Sequence, residues 1–386
     1  MENPRINEPG LEPDFDNRPG LAVAFEQQSA AADRLGSLLY ADLCRRASAD
    51  CAAESRLGRL LQPWSDARYG DMFPLRVLGA AHRLVLEHNA PKLGVNFPSV
   101  GGTVPTSERS QAACFESFVD ALEDHADRLD DLFARAPQTN ETGRAATLIG
   151  VLHHVSSAYS MPIRLHELGA SAGLLLRADR MRVTWNGGST GPVDSPLVLA
   201  DGWHGQQADF PPYECVIDVV QRSGVDQNPV DLNTTDGRLH LTSFVWPDQV
   251  ERHERLRAAI LLAQDVPATV VKSNIESYVR ALAPVPGTAL VLWHSSVWFY
   301  LDEDERARTL LAIQELGQRA APDAPVVHAA LEYVATPVGH RFLAMARGWP
   351  TWPMDVKEGD LTVLGTAPAH GLPVTWQTSY RVPNPF

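Results

Sequence analysis

The chain is poor in cysteine, carries no excess of positive charge and has no long apolar run, and each absence removes a class of function. Its four cysteines, Cys44, Cys51, Cys114 and Cys215, show neither C-x-x-C spacing nor histidines at zinc-finger spacing, so no structural metal is expected. The formal net charge is -14. Without a basic stripe to displace counterions, nucleic acid is not expected as a partner. No apolar stretch approaches the roughly 20 residues of a spanning helix, and Met1–Gly10 lacks the apolar centre of a signal peptide. The expectation is a cytoplasmic protein with no membrane partner.

What is present is an ordinary globular composition, 44% hydrophobic and 21% charged over 386 residues, enough for two domains. Residues 1–18 read as a flexible tail. Residues 19–158 read as all-α, with apolar residues at three- and four-residue spacing in Leu35–Leu43 and Phe115–Leu122. Loops at Asn96–Pro105 and Pro137–Gly143 interrupt the pattern.

Residues 159–386 alternate strands and helices, which predicts an α/β domain with a mostly parallel sheet. The strand candidates are Ile163–Leu168, Glu214–Val220, Ala268–Lys272, Thr288–Trp293 and Pro325–Leu331. Leu361–Leu364 and Val374–Tyr380 read as a C-terminal antiparallel hairpin, and Trp185–Pro212 as an insertion loop or short hairpin over the site.

The segment Ile163–Leu176 reads as a strand that ends in an acid, a glycine turn and a helix. Gly169, Ser171 and Gly173 allow a tight turn whose backbone N–H groups face a ligand, with Glu167 beside it as an acceptor. The pattern resembles the first motif of Rossmann-like S-adenosylmethionine-dependent methyltransferases. That resemblance implies a loop under the methionine end of the cofactor. Gly169–Gly173 also satisfies G-x-S-x-G, a nucleophile elbow with Ser171 as nucleophile. Asp302 or Glu332 and then His340 or His370 supply its acid and base in the required order. About 160 largely helical residues precede that elbow and no H-G-G-G loop is visible, which counts against a hydrolase. Simple helix-on-strand packing is the third reading of the same small residues.

Asp226 falls at a strand's carboxyl edge, where an acid accepts ribose hydroxyls, and Asn228 follows in a turn-forming run. Asn274 stands where methyltransferases carry an adenine-binding side chain, although asparagine also caps helices. His294 emerges from an apolar strand as a candidate general base, set against the alternative of a buried, backbone-bonded histidine. Tyr300 is a candidate pocket wall.

Six blocks together resemble an uncharacterised bacterial family, domain of unknown function twenty-three thirty-two, usually described as methyltransferase-like. They are Phe97-Pro-Ser-Val-Gly-Gly102, Gln138-Thr-Asn-Glu-Thr-Gly-Arg144, Glu167-Leu-Gly-Ala-Ser-Ala-Gly-Leu174, Asp226-Gln-Asn-Pro-Val-Asp231, Val245-Trp-Pro-Asp-Gln-Val-Glu-Arg252 and His294-Ser-Ser-Val-Trp-Phe-Tyr-Leu301. The chain departs from that pattern at Asn274, where an Asp is usual, and at Leu175, where an Asn is usual. Asn140, Glu141 and Arg144 are candidate substrate contacts or a helix cap, Arg144 being suited to a substrate carboxylate. Trp246 belongs either to a lid over the site or to a staple before the next helix.

The expectation is an S-adenosylmethionine-dependent methyltransferase with a Rossmann-like sheet and an N-terminal all-α region, acting in line on an oxygen or nitrogen of a small-molecule substrate. A serine hydrolase and a non-catalytic metabolite-binding member of a methyltransferase-like family are the alternatives.

Overall fold

Residues 20–66, 72–336, 339–350 and 361–382 are described by the structure, a computed structural model. The tail expected over residues 1–18 lies outside them. Among the described residues seven α-helices come first: α1 (Leu21–Arg34), α2 (Leu38–Ala52), α3 (Arg56–Leu60), α4 (Phe73–Leu86), α5 (Pro91–Gly94), α6 (Glu108–Glu123) and α7 (Leu129–Phe133). Helix α8 (Ala145–Tyr159) then leads into β1 (Ile163–Leu168). Four short strands follow, β2 (Arg182–Trp185), β3 (Gly188–Thr190), β4 (Val198–Leu199) and β5 (Trp203–His204), and then β6 (Val219–Asp226). Next come α9 (Thr235–Phe244), α10 (Val250–Asp265), β7 (Thr269–Lys272), α11 (Ile275–Ala281), β8 (Ala289–Ser295) and α12 (Glu303–Gly317). The described chain ends with β9 (Val326–Thr336), β10 (Gly339–Trp349), β11 (Leu361–Ala367) and β12 (Val374–Val382).

The chain divides into two units. The helical unit takes the described residues of Pro13–Thr139 together with Val230–Glu254; the other takes those of Asn140–Pro229 and Arg255–Phe386. The division therefore falls ahead of α8, at Asn140 rather than at residue 159, and the 230–254 stretch is part of the helical unit.

Local chemistry explains the helix starts. The Ser37 side chain accepts the Tyr40 amide to cap α2, and Ser107 with Ser110 forms a reciprocal capping box on α6. The apolar faces then meet in one core that includes Phe25, Leu43, Leu78, Phe97 and Phe118. The 230–254 stretch is keyed into it: Phe244 lies so close to Gly79 that a Cβ there would stand 2.5 Å from its ring. His82 Nδ1 lies 3.0 Å from the Ser243 carbonyl.

The second unit is built on a nine-stranded, mostly parallel sheet of order β5-β12-β11-β10-β9-β8-β1-β6-β7. The five strands from β7 to β9 run parallel, and α11 and α12 pack on them through Ile275, Val279, Ile313 and Leu316. A small sheet of order β3-β2-β4 occupies part of the expected insertion.

Two strand expectations need adjustment. The second parallel strand is Val219–Asp226, not Glu214–Val220. The C-terminal hairpin forms as β11 with β12 and is extended by β9 and β10 into one antiparallel run, Gly339 at φ 101° opening the eleven-residue β10, which pairs residue for residue with β9. Among the described residues no helix is long and apolar enough to cross a membrane.

Candidate functional site

From β1 the strand order steps one way to β6 and β7 and the other way to β8 and β9. The carboxyl ends of β1 and β8 therefore flank the place where loops diverge, the usual position of a ligand crevice in such sheets. Glu167 is paired there with Gly224 of β6 and Trp293 of β8, and Leu168 with His294.

The turn after β1 is left-handed at Gly169 (φ 73°), Ser171 (φ 51°) and Gly173 (φ 69°). Five of its amides are used internally. Those of Gly169 and Ala170 both donate to the Val225 carbonyl at 2.9 Å, and that of Gly173 to Ala170 at 2.6 Å. The Ser171 amide donates to Asp226 Oδ2 at 2.7 Å and the Leu174 amide to Asn140 Oδ1 at 2.8 Å. A Cβ on Gly169 would lie 2.3 Å from Val297, and one on Gly173 2.8 Å from Val270. Backbone conformation and neighbouring valines account for these glycines. The amides do not form the open cradle that the spacing suggested.

The helix expected after the turn is a 3-10 segment, Leu174–Arg180, with a non-helical break at Arg177. Arg177 holds that break, its Nη1 donating to the Gly173 carbonyl and its Nε to that of Val266.

The two carboxylates differ in kind. Glu167 is 2% exposed, and its Oε2 has no hydrogen-bond partner among the described residues. Burial pushes its carboxyl well above the usual range, Arg177 and Arg144 pull it back, and Asp226 adds to the rise. Asp226 is half-buried and oriented by two amides, Ser171 on Oδ2 and Asn228 on Oδ1 at 2.8 Å. Each of its oxygens keeps a second lone pair. A buried acceptor beside a half-open carboxylate suits a ligand that brings an ammonium and hydroxyl groups.

The Asn140–Arg144 segment comes to the same place. Glu141 is buried and its Oε1 accepts the Gly143 amide at 3.1 Å. Arg144 donates to the Ser295 carbonyl at 3.3 Å and to that of Ala369 at 3.2 Å. The loop before β12 closes tightly on it, since a Cβ on Gly143 would sit 2.2 Å from the His370 carbonyl.

His294 is fully buried, with both ring nitrogens engaged. Nδ1 lies 2.7 Å from Glu332 Oε1 and Nε2 lies 2.9 Å from His328 Nε2. With a proton on Nδ1 toward Glu332 and none on Nε2, the ring would accept from His328. Trp298 stacks on the imidazole at 4.7 Å, and Glu332 also accepts the Val297 amide at 2.9 Å. Burial pushes the His328 imidazole well below its ordinary pKa, with His294 and Arg347 adding to the fall. The expected role of His294 as a base facing substrate does not match this setting; it braces the turn that carries Val297 over Gly169. Sequence reasoning missed His328 and met Glu332 only as a hydrolase acid. The signal was His328 and Glu332, polar residues four apart and so on one face, within the mostly apolar run Val326–Val334.

The remaining candidates are dispersed. Asn274 caps α11, accepting the Ser277 amide at 2.8 Å, the alternative recognised for it. Trp246 belongs to the core of the helical unit, its ring 5.8 Å from that of Tyr40. Tyr300 is 55% exposed and packs on Phe299 at 4.2 Å. No curated protein matches the chain. The family described as "uncharacterized protein conserved in bacteria (DUF2332)" matches residues 22–376, and the chain belongs to it.

Proposed function

We propose that the chain binds S-adenosylmethionine at the carboxyl edge of β1, β6 and β8 and is a methyltransferase for a small-molecule acceptor, on a Rossmann-like sheet. The observation that carries this reading is Glu167: a buried carboxylate oxygen without a donor among the described residues, at the point where the strand order reverses. Leaving such a group unmet costs about 1–3 kcal/mol, and a ligand ammonium removes that cost. Asp226 presents its spare lone pairs to a vicinal diol. When bound, the cofactor supplies the activated methyl group.

The protein's share is placement. Glu167 binds, Asp226 orients, and Asn140 and Arg144 fix the surrounding backbone through Leu174 and Ser295. Proton abstraction is not assigned to His294. Calorimetric titration of the full chain with S-adenosylmethionine and with its demethylated product tests the reading. Saturable binding that Glu167→Gln weakens supports it; silence at millimolar ligand removes it.

One observation favours a second reading. Ser171 holds the left-handed backbone, φ 51°, at the serine of a G-x-S-x-G turn, where a strained nucleophile would stand. Covalent labelling of Ser171 by a fluorophosphonate probe would establish a hydrolase instead.

A further inference from the structure

We propose that a cleft formed by the segment between β2 and residue 213 binds a neutral sugar. The inference uses none of the residues at the β1 and β8 ends and does not rest on the methyltransferase reading.

Four aromatic rings gather in this segment. Trp185 stacks on Trp203 at 5.0 Å with an interplanar angle of 20°. Phe210 meets both edge-on, at 5.5 and 5.9 Å, and Tyr213 meets Trp185 edge-on at 5.0 Å. Trp203 is the anchor: it is 1% exposed, its Nε1 donates to the Ala146 carbonyl at 2.9 Å, and its ring meets Trp376 at 5.6 Å. A rigid ring is thus fixed beneath two that are only half-buried. Trp185 and Phe210 retain accessible surface, and both line a cleft of about 510 Å³.

The rim decides the chemical class. It carries the exposed side chains of Asn186, Asp201, His204 and Gln207, with His204 Nε2 3.0 Å from Asp201 Oδ2. Among the described residues neither lysine nor arginine lines the cleft, and Asp201 brings negative charge, which disfavours a phosphate or carboxylate ligand. A wholly apolar ligand would cover the exposed side chains of Asn186 and Asp201 without meeting their polar atoms. A sugar answers both parts: its hydroxyls donate and accept toward two amides, a carboxylate and an imidazole, while its C–H face packs on aromatic carbon. Ligand sites usually measure about 300–1,000 Å³, and this cleft lies within that range.

The test is titration of the full chain with a panel of neutral disaccharides (maltose, cellobiose, lactose and chitobiose), read by calorimetry and tryptophan fluorescence, with glucose 6-phosphate as the anionic comparison. At least one neutral sugar should bind saturably and change the emission. Trp185→Ala and Asp201→Asn should each weaken that binding about tenfold, equivalent to about 1.4 kcal/mol. Asp201 and Gln207 are exposed, so Asp201→Asn and Gln207→Ala should leave the melting temperature unchanged and separate lost binding from lost folding. Absence of binding across the panel, tighter binding of the phosphorylated sugar, or undiminished binding in both Trp185→Ala and Asp201→Asn would each overturn the proposal.

Discussion

Asp226 Oδ2 accepts the Ser171 amide at 2.7 Å, tying the last residue of β6 to the turn that leaves β1. Both ends of that bond are visible in the sequence as an acid after a strand and a small residue in a glycine turn. The bond itself joins residues 55 apart and depends on β6 lying beside β1 in register. Asp226→Ala should leave the nearly buried Ser171 amide without an acceptor and cost about 1–3 kcal/mol, measured by urea denaturation. The same variant should abolish adenosyl-ligand binding. A variant as stable as the parent would show that the bond does not hold the turn.

Gly169→Ala should be the most damaging of the small substitutions in this turn. A left-handed alanine costs about 1–2 kcal/mol, and overlap with Val297 adds about 1–3 kcal/mol. Gly287 separates the two contributions, because its φ is 80° but a Cβ there would meet nothing within 4 Å. Gly287→Ala should therefore lose only about 1–2 kcal/mol. Equal losses for the two variants would remove Val297 from the account.

The architecture was largely legible because apolar period and turn residues are local signals. Ile163–Leu168 reads from the sequence with its observed bounds, and the helical character of the first third follows from its spacing. Strand β10 was not legible: Gly339–Trp349 mixes His, Arg and Gly with its apolar residues, and its pairing with β9 is what makes it a strand. In the site, Asn140, Arg144, Glu167, Ser171 and Asp226 were recognisable by residue type. What each one touches was not, because Val297 over Gly169 and Glu332 beneath His294 come from segments far along the chain.

Glu332→Ala should remove the acceptor shared by His294 Nδ1 and the Val297 amide, both buried, at a cost of about 1–3 kcal/mol for each donor left unmet. Hydrogen exchange at Val297 should accelerate, and the deshielded imidazole proton expected of a 2.7 Å contact should disappear from the NMR spectrum. Glu332→Gln keeps one acceptor oxygen and should recover part of the stability. If Val297 exchanges no faster in Glu332→Ala, the bracing role fails.

Stability against pH should reflect two opposed sets of groups. Burial lowers the imidazole of His82 to about 3 and those of His153 and His166 to about 4, from an unfolded value of 6.5. These rings stay neutral in the fold while the unfolded chain takes up protons. Their contribution is present above pH 6.5 and is lost as pH falls toward 4, with a slope of up to roughly 1.4 kcal/mol per pH unit for each ring. His153→Asn should flatten that limb. Glu167 acts in the other direction: its folded pKa is raised by burial, so the fold holds a proton that the unfolded chain has released above 4.5, and stability falls as pH rises from there. Glu167→Gln removes this dependence and should stabilise the protein at neutral pH, while weakening binding of the proposed adenosyl ligand. The gain in stability reports burial alone; only its coincidence with lost ligand binding points to a ligand. Thermal melts of the parent and Glu167→Gln across pH 5–8, beside their ligand titrations, therefore decide whether the carboxylate at the end of β1 is retained for a ligand at the expense of stability.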